Sequence, residues 1–220
     1  MNLFVKSLLL TLFIVFIAFL LAKQFDDQRV YELKKEVELV IQDNLAQQMI
    51  SKYSSTMAKD PKEYCEQLIS LRESQAKRNT LISERIQEYE RKNIFTEEYD
   101  ILKRSYYINL IDMYIAEFDL KKRCNINDVP LMVFYSVDTS CSACLAQNEI
   151  VLRLMKKCNN LRVYSLPIDG NVDLPFILKK RYNITEVPSI VIDDIKILKG
   201  LYSERQLIDV LKEFNVSCKD

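Results

Sequence analysis

The chain of 220 residues contains no histidine and no tryptophan, and its only glycines are Gly170 and Gly200. Without imidazole there is no Ser-His or Cys-His dyad and no His-ligated metal. Without clustered glycines there is no Gly-rich loop to cradle a phosphate. An excess of one charge is missing too, because 31 Lys and Arg balance 31 Asp and Glu. Binding to nucleic acid needs surplus cation to displace counterions, so nucleic acid is not an expected partner. What is present is 49% hydrophobic and 28% charged residues, the composition of a folded chain. The length suits one or two domains. The side chains left for chemistry are mostly thiols, the six cysteines at 65, 124, 141, 144, 158 and 218. No cofactor and no metal site are expected. Zinc held by the pair at 141 and 144 would have to recruit Cys158 or Cys218.

Ser7 to Ala22 carries no charge between Lys6 and Lys23. This run spans roughly 24 Å as a helix, short of a hydrocarbon core of about 30 Å. Leu3, Phe4 and Val5, with Lys6 snorkelling, lengthen it enough to cross. Residues 1–24 are therefore read as an uncleaved transmembrane signal anchor. A cleaved signal peptide is the alternative, although Leu20 and Ala22 make a poor small-x-small site. Lys23, Arg29, Lys34 and Lys35 follow the run, and by the positive-inside rule alone they would hold the body in the cytoplasm. The cysteines argue the other way, because persistent disulfides need an oxidising compartment. The expectation is a single-pass membrane protein with its soluble body outside the cytoplasm.

Residues 25–124 form an α-helical region. Val30, Leu33, Val37, Val40, Ile41, Leu45 and Met49 recur at steps of three and four, as on an amphipathic helix. Asp60-Pro61 is a helix start, and Thr96 followed by Glu97 and Glu98 is another. Between them a second helix carries Tyr64, Leu68, Leu71, Ile82, Ile86 and Tyr89, its stripe interrupted by Gln75 and Arg78. The third helix ends at Lys121-Lys122-Arg123, with acid at its start and base at its end, as the helix dipole favours. The stripes suit helix-on-helix packing and leave open a coiled, self-associating surface. If helices two and three form an antiparallel hairpin, facing residues have numbers that sum to a constant. Cys65 and Cys124 place the turn centre between Ile94 and Phe95, where Thr96 already implies one. A disulfide between these two cysteines is predicted at the open base of the hairpin.

Residues 125–220 read differently. Leu131 to Tyr135 is a short apolar run, hence a buried strand. Cys141-Ser142-Ala143-Cys144 opens a helical stretch, Leu161 to Ile168 reads as a strand and Leu174 to Tyr182 as a helix. Pro188 introduces Ser189 to Ile192, then a turn at Asp193-Asp194 and a strand ending before Gly200. Ser203 with Gln206 caps a last helix. The order β, α, β, α, β, β, α predicts an α/β unit with a mixed sheet flanked by helices.

A strand leading into the CxxC at a helix start, Val187-Pro188 opening a hairpin, Gly200 after it and the capped last helix carry a resemblance. The stretch 127–217 resembles the minimal thioredoxin fold of thiol-disulfide oxidoreductases. The resemblance implies that Pro188 is cis and that Val187 presents its backbone to a substrate chain. It also implies that Cys158 and Cys218, at the far ends of two helices on one sheet face, form a structural disulfide. This chain departs from the family in three places: Ser140 stands where a Trp is usual, Ser142-Ala143 replaces Gly-Pro, and Tyr135 aligns with a buried acid.

A helix N-terminus supplies free N–H groups and partial positive charge, which stabilise a thiolate without any histidine. Cys141 is the expected nucleophile, forming a mixed disulfide with a partner. Cys144, one helical turn on, is the resolving thiol. The expected function is a membrane-anchored extracytoplasmic oxidoreductase exchanging disulfides with protein thiols and with a redox partner protein. The alternative is a membrane-anchored helical interaction protein whose thioredoxin-like unit is redox-inert, the CxxC being a static disulfide. The direction of electron flow is not encoded in these residues.

Overall fold

The computed structural model describes residues 3–57, 60–138, 140–169 and 173–219. Six helices and four strands follow in the order α1 (Leu3–Met57), α2 (Pro61–Arg91), α3 (Glu97–Cys124), β1 (Val129–Tyr135), α4 (Ser142–Lys157), β2 (Leu161–Pro167), α5 (Asp173–Arg181), β3 (Ser189–Ile192), β4 (Lys196–Lys199) and α6 (Glu204–Lys212) among the described residues. The chain is thus α/β, with an apolar N-terminal helix long enough to cross a membrane.

The apolar run and the first amphipathic helix, expected to divide at residue 24, are one 55-residue helix. No glycine or proline stands between them to end it. Apolar side chains from Leu8 to Leu21 are exposed along the first half. The second half docks Val37 against Ile86, Tyr89, Tyr99 and Leu102 of the next two helices.

Helices α2 and α3 form the hairpin. Asp60 caps α2 by accepting the Glu63 N–H at 2.7 Å, and Thr96 caps α3 by accepting the Tyr99 N–H at 3.3 Å. Gln75, read from sequence as an interruption of the contact stripe, is buried within it, as is Asn79. The interface accepts these polar groups because they are partnered: Gln75 hydrogen-bonds Asp112, Asn109 donates to the Asn79 side-chain oxygen at 3.0 Å, and Asn79 donates to the Met113 sulfur.

The sheet runs β2-β1-β3-β4. β1 is parallel to β2 and antiparallel to β3, and β3 is antiparallel to β4. β1 is apolar throughout because both of its faces are covered. Val129, Leu131 and Val133 pack under α4 and α6 with Val151, Leu154, Leu207 and Leu211. Met132 and Phe134 point the other way, into Tyr107, Leu110, Ile111 and Tyr114 of α3 and Tyr182 after α5. The composition changes at residue 125, but the packing runs across that boundary. α3 is buried both by α2 and by the sheet, so its apolar residues wrap round the helix instead of keeping to one stripe.

A chain with two glycines still needs left-handed backbone at its turns, and asparagine supplies it. Asn93, Asn125, Asn183 and Asn215 stand at or just past the ends of α2, α3, α5 and α6 with φ of 54°, 54°, 49° and 58°. The β3–β4 turn has φ of 53° and 59° at Asp193 and Asp194, the two positive central angles of a type I′ turn. Lys121 of α3 holds Asp193 at 2.6 Å, while Arg181 and the Tyr182 hydroxyl hold Asp194.

Candidate functional site

The segment between β1 and α4 is latched before it reaches the cysteines. Ile168 N–H donates to the Tyr135 carbonyl at 2.8 Å, continuing the parallel pairing to the end of β1. The next side chain, Asp169, accepts from the Ser136 hydroxyl and from the Val137 N–H at 2.9 Å. Burial pushes the Asp169 carboxyl up, but the Ser136 hydroxyl and the N–H groups of Val137, Asp169 and Asp138 outweigh it and hold the group below the usual carboxylate range. Asp138 then accepts the Ser140 N–H on its carboxylate at 2.9 Å and the Cys141 N–H on its carbonyl at 3.0 Å. Sequence reading missed Asp169. The signal available was an acid just past β2, at the level where the parallel strand β1 gives way to the motif loop.

Cys141 is the N-cap of α4, and its sulfur accepts the Cys144 N–H at 3.3 Å. A sulfur in that position receives the partial positive charge of the helix start, which favours the thiolate when the bond is open. Here Cys141 and Cys144 are joined, with Cα atoms 5.3 Å apart. Their accessibility differs: Cys141 is half-buried, and Cys144 is buried at 5% exposure. An incoming sulfur therefore has access to Cys141, while Cys144 is shielded. Exposed Val137 and Leu145 flank the motif in the chain.

Val187 and Pro188 lie at the same end of the sheet. Ser189 pairs with Phe134, which sets Pro188 beside Tyr135, the last residue of β1 before the motif loop. The Val187–Pro188 bond is cis. Pro188 is buried and its carbonyl accepts the Gly200 N–H at 2.8 Å, where Gly200 has a φ of 84°. Val187 is partly buried.

Two further side chains support this end. The Tyr135 hydroxyl is 3.2 Å from the Tyr107 hydroxyl of α3. Burial pushes the pKa of both phenols up and keeps them neutral. Gln147, one turn beyond Cys144, is wholly buried; its oxygen accepts the Tyr202 N–H at 2.8 Å and its amide nitrogen has no hydrogen-bond partner among the described residues. Nothing in the helical stripe distinguishes Gln147 from an apolar position except its polarity.

The other four cysteines are paired far along the chain from their partners. Cys65 and Cys124 join the base of the hairpin, with Cα atoms 5.5 Å apart and a sequence separation of 59. Cys158 and Cys218 are bonded across 60 residues. Backbone bonds from Asn159 N–H to the Ser217 carbonyl and from Lys219 N–H to the Lys157 carbonyl flank that second bond. Both sites lie at the end of the sheet opposite the CxxC: Cys124 is five residues before β1 begins, and Cys158 three before β2. Glu117, wholly buried, ties the same end together by meeting Arg72 at 3.3 Å and accepting the Tyr164 hydroxyl at 2.9 Å, while Asp128 meets Arg72 at 2.6 Å and Arg162 at 3.0 Å. No protein-family model and no curated protein matches the chain.

Proposed function

We propose that the protein is a membrane-anchored, extracytoplasmic thiol-disulfide oxidoreductase with a thioredoxin-like C-terminal unit, acting on protein thiols or disulfides through Cys141 and Cys144. The observation that carries this reading is the asymmetry of the pair. Cys141 caps the helix start and is partly exposed, whereas Cys144 is buried beneath it. That asymmetry suits attack at one sulfur and resolution by the other. A strand before the motif, the Val187-Pro188 segment beside the end of that strand and the capped α6 add support. The large helical region is less of an argument for a separate interaction role, because α3 serves as cover for one face of the sheet.

Exchange begins when a partner thiolate attacks Cys141, breaking the Cys141–Cys144 bond and leaving Cys144 as thiolate. A second partner thiolate then attacks the partner sulfur of the mixed disulfide. The partner leaves oxidised, and the CxxC keeps two electrons as a dithiol. Run backwards, the same steps reduce a partner disulfide. The Cys144→Ser variant should accumulate mixed disulfides through Cys141, visible on non-reducing gels, and Cys141→Ser should accumulate none. A Cys144→Ser variant that traps no partner would contradict the reading. The reduction potential then assigns direction, with a value near about −270 mV marking a reductant and one near about −120 mV an oxidant.

A further inference from the structure

We propose that the CxxC end of the sheet faces the membrane that holds α1, and that its exchange partner is a cysteine pair on a membrane-embedded protein. This rests on the anchor and thiol-exchange readings above and adds to them a direction and a partner class.

The direction follows from three helix and strand polarities. Lys34 of α1 meets Glu98, in the first turn of α3, at 3.4 Å. The other end of α1, Met57, is four residues from Pro61, and Cys65 in the first turns of α2 is bonded to Cys124 at the end of α3. A chain segment of that length spans at most about 14 Å, so α1 ends near the C-terminal end of α3. α1 and α3 are therefore parallel, and the apolar half of α1 projects beyond the hairpin tip.

β1 runs the opposite way to α3. It starts at Val129, just after α3 ends, and its last residue, Tyr135, meets Tyr107 in the first half of α3. At the other end Lys121 of α3 meets Asp193, whose N–H donates to the Pro130 carbonyl near the start of β1. The C-terminal end of β1, with the motif loop and the start of α4 beyond it, thus points towards the hairpin tip and the apolar half of α1. The bonds Cys65–Cys124 and Cys158–Cys218 lie at the end pointing away.

The height is bounded by helix rise. Twelve residues of α1 separate Ala22 from Lys34, and nine of α3 separate Glu98 from Tyr107, giving about 30 Å from the end of the apolar run to the level of Tyr107 and Tyr135 with α1 upright. The motif lies beyond Tyr135 on the membrane side, and so within that distance of the bilayer. A partly exposed Cys141 held at this height is within reach of cysteines on the loops of an integral membrane protein in the same bilayer. In the exchange the reduced Cys141 thiolate attacks the disulfide of the partner and breaks it. Cys144 then attacks Cys141, two electrons having passed to the partner, which leaves as a dithiol; the reverse exchange returns them.

The test uses the full chain reconstituted in phosphatidylcholine vesicles that carry a headgroup-labelled quencher lipid. A fluorescent amino acid is placed at Leu145, beside the motif, or at Asn159, beside the far disulfide. Quenching should be several-fold stronger at Leu145. Equal quenching, stronger quenching at Asn159, or failure of the chain to float with the vesicles would overturn the proposal. In the same vesicles, the reduced chain should exchange with a transmembrane peptide carrying a disulfide on a short loop. Inserting about 14 helical residues between Gln24 and Phe25 lifts the body by roughly 21 Å and should slow that exchange several-fold. Exchange with glutathione disulfide in solution should be unchanged by the insert. A membrane-peptide rate indifferent to the insert would overturn the proposal, whereas loss of glutathione exchange in the unmodified chain would instead sink the thiol-exchange reading itself.

Discussion

At one end of the sheet a disulfide joins residues three apart; at the other, two disulfides join residues 59 and 60 apart. By the chain-entropy model, closing a loop of about 60 residues stabilises a fold by about 4 kcal/mol, whereas a three-residue loop contributes less than about 2 kcal/mol. The surroundings differ in the same sense. The far end is bolted by Glu117, Asp128, Arg72 and Arg162 as well as by its sulfurs. The motif end is held by hydrogen bonds to two carboxylates, Asp169 and Asp138, and leaves Cys141 partly exposed. The same covalent bond is therefore a clamp where it spans a long loop inside a network, and adds little to stability where it spans a single helix turn, as the proposed exchange requires.

The largest effect that can break this comparison is removal of a clamp. Cys158→Ala with Cys218→Ala, or Cys65→Ala with Cys124→Ala, should each lower unfolding free energy by about 4 kcal/mol in a denaturant titration. A loss no greater than that of opening the CxxC would remove the distinction. Next comes Glu117→Gln, which leaves Arg72 with Asp128 as its remaining charged partner and should cost about 2 kcal/mol. Replacing Arg72 and Glu117 together by Met and Leu should cost less than the sum of the single losses, as a coupled pair requires. Cys141→Ser should change stability by less than about 2 kcal/mol while abolishing mixed-disulfide formation, an activity effect without a comparable stability effect.

The smallest effect is acidic. The Asp169 carboxyl is depressed in the folded chain, so its contribution is present above its unfolded pKa, about 3.9, and is lost as pH falls through the lower folded value. Amide exchange of Val137 should accelerate, relative to its intrinsic rate, as pH is lowered from about 5 through the acid range, and Asp169→Asn should show part of that acceleration at neutral pH. Amides of the Arg72–Glu117 end serve as the reference. Equal behaviour at the two ends would show that the latch is not local.

Much of this architecture is legible in the sequence wherever a local rule has a single answer. Asp60-Pro61, Thr96 and Ser203 announce helix starts because a capping side chain satisfies N–H groups that nothing else can reach. Cys65 and Cys124 pair as hairpin arithmetic predicts, since antiparallel helices share one rise per residue. The CxxC at a helix start and Val187-Pro188 before a hairpin are equally local. What local rules miss is residues that answer to two neighbours. α3 packs on α2 and on the sheet together, so no single stripe along its sequence marks Tyr107 and Tyr114 as facing the sheet. Asp169 acts on a loop 32 residues earlier in the chain, through a strand pairing that its own neighbours do not encode. Gln75 looks like a flaw in a stripe because its hydrogen-bond partner, Asp112 of α3, is brought to it only in three dimensions.

Graded reduction followed by thiol labelling and mass spectrometry measures directly which disulfide opens first. With reductant raised stepwise on the native full-length chain, Cys141 and Cys144 should label together at the lowest concentration, while Cys65, Cys124, Cys158 and Cys218 remain linked. Labelling of any of those four before or together with Cys141 would contradict the assignment of the CxxC as the exchanging pair.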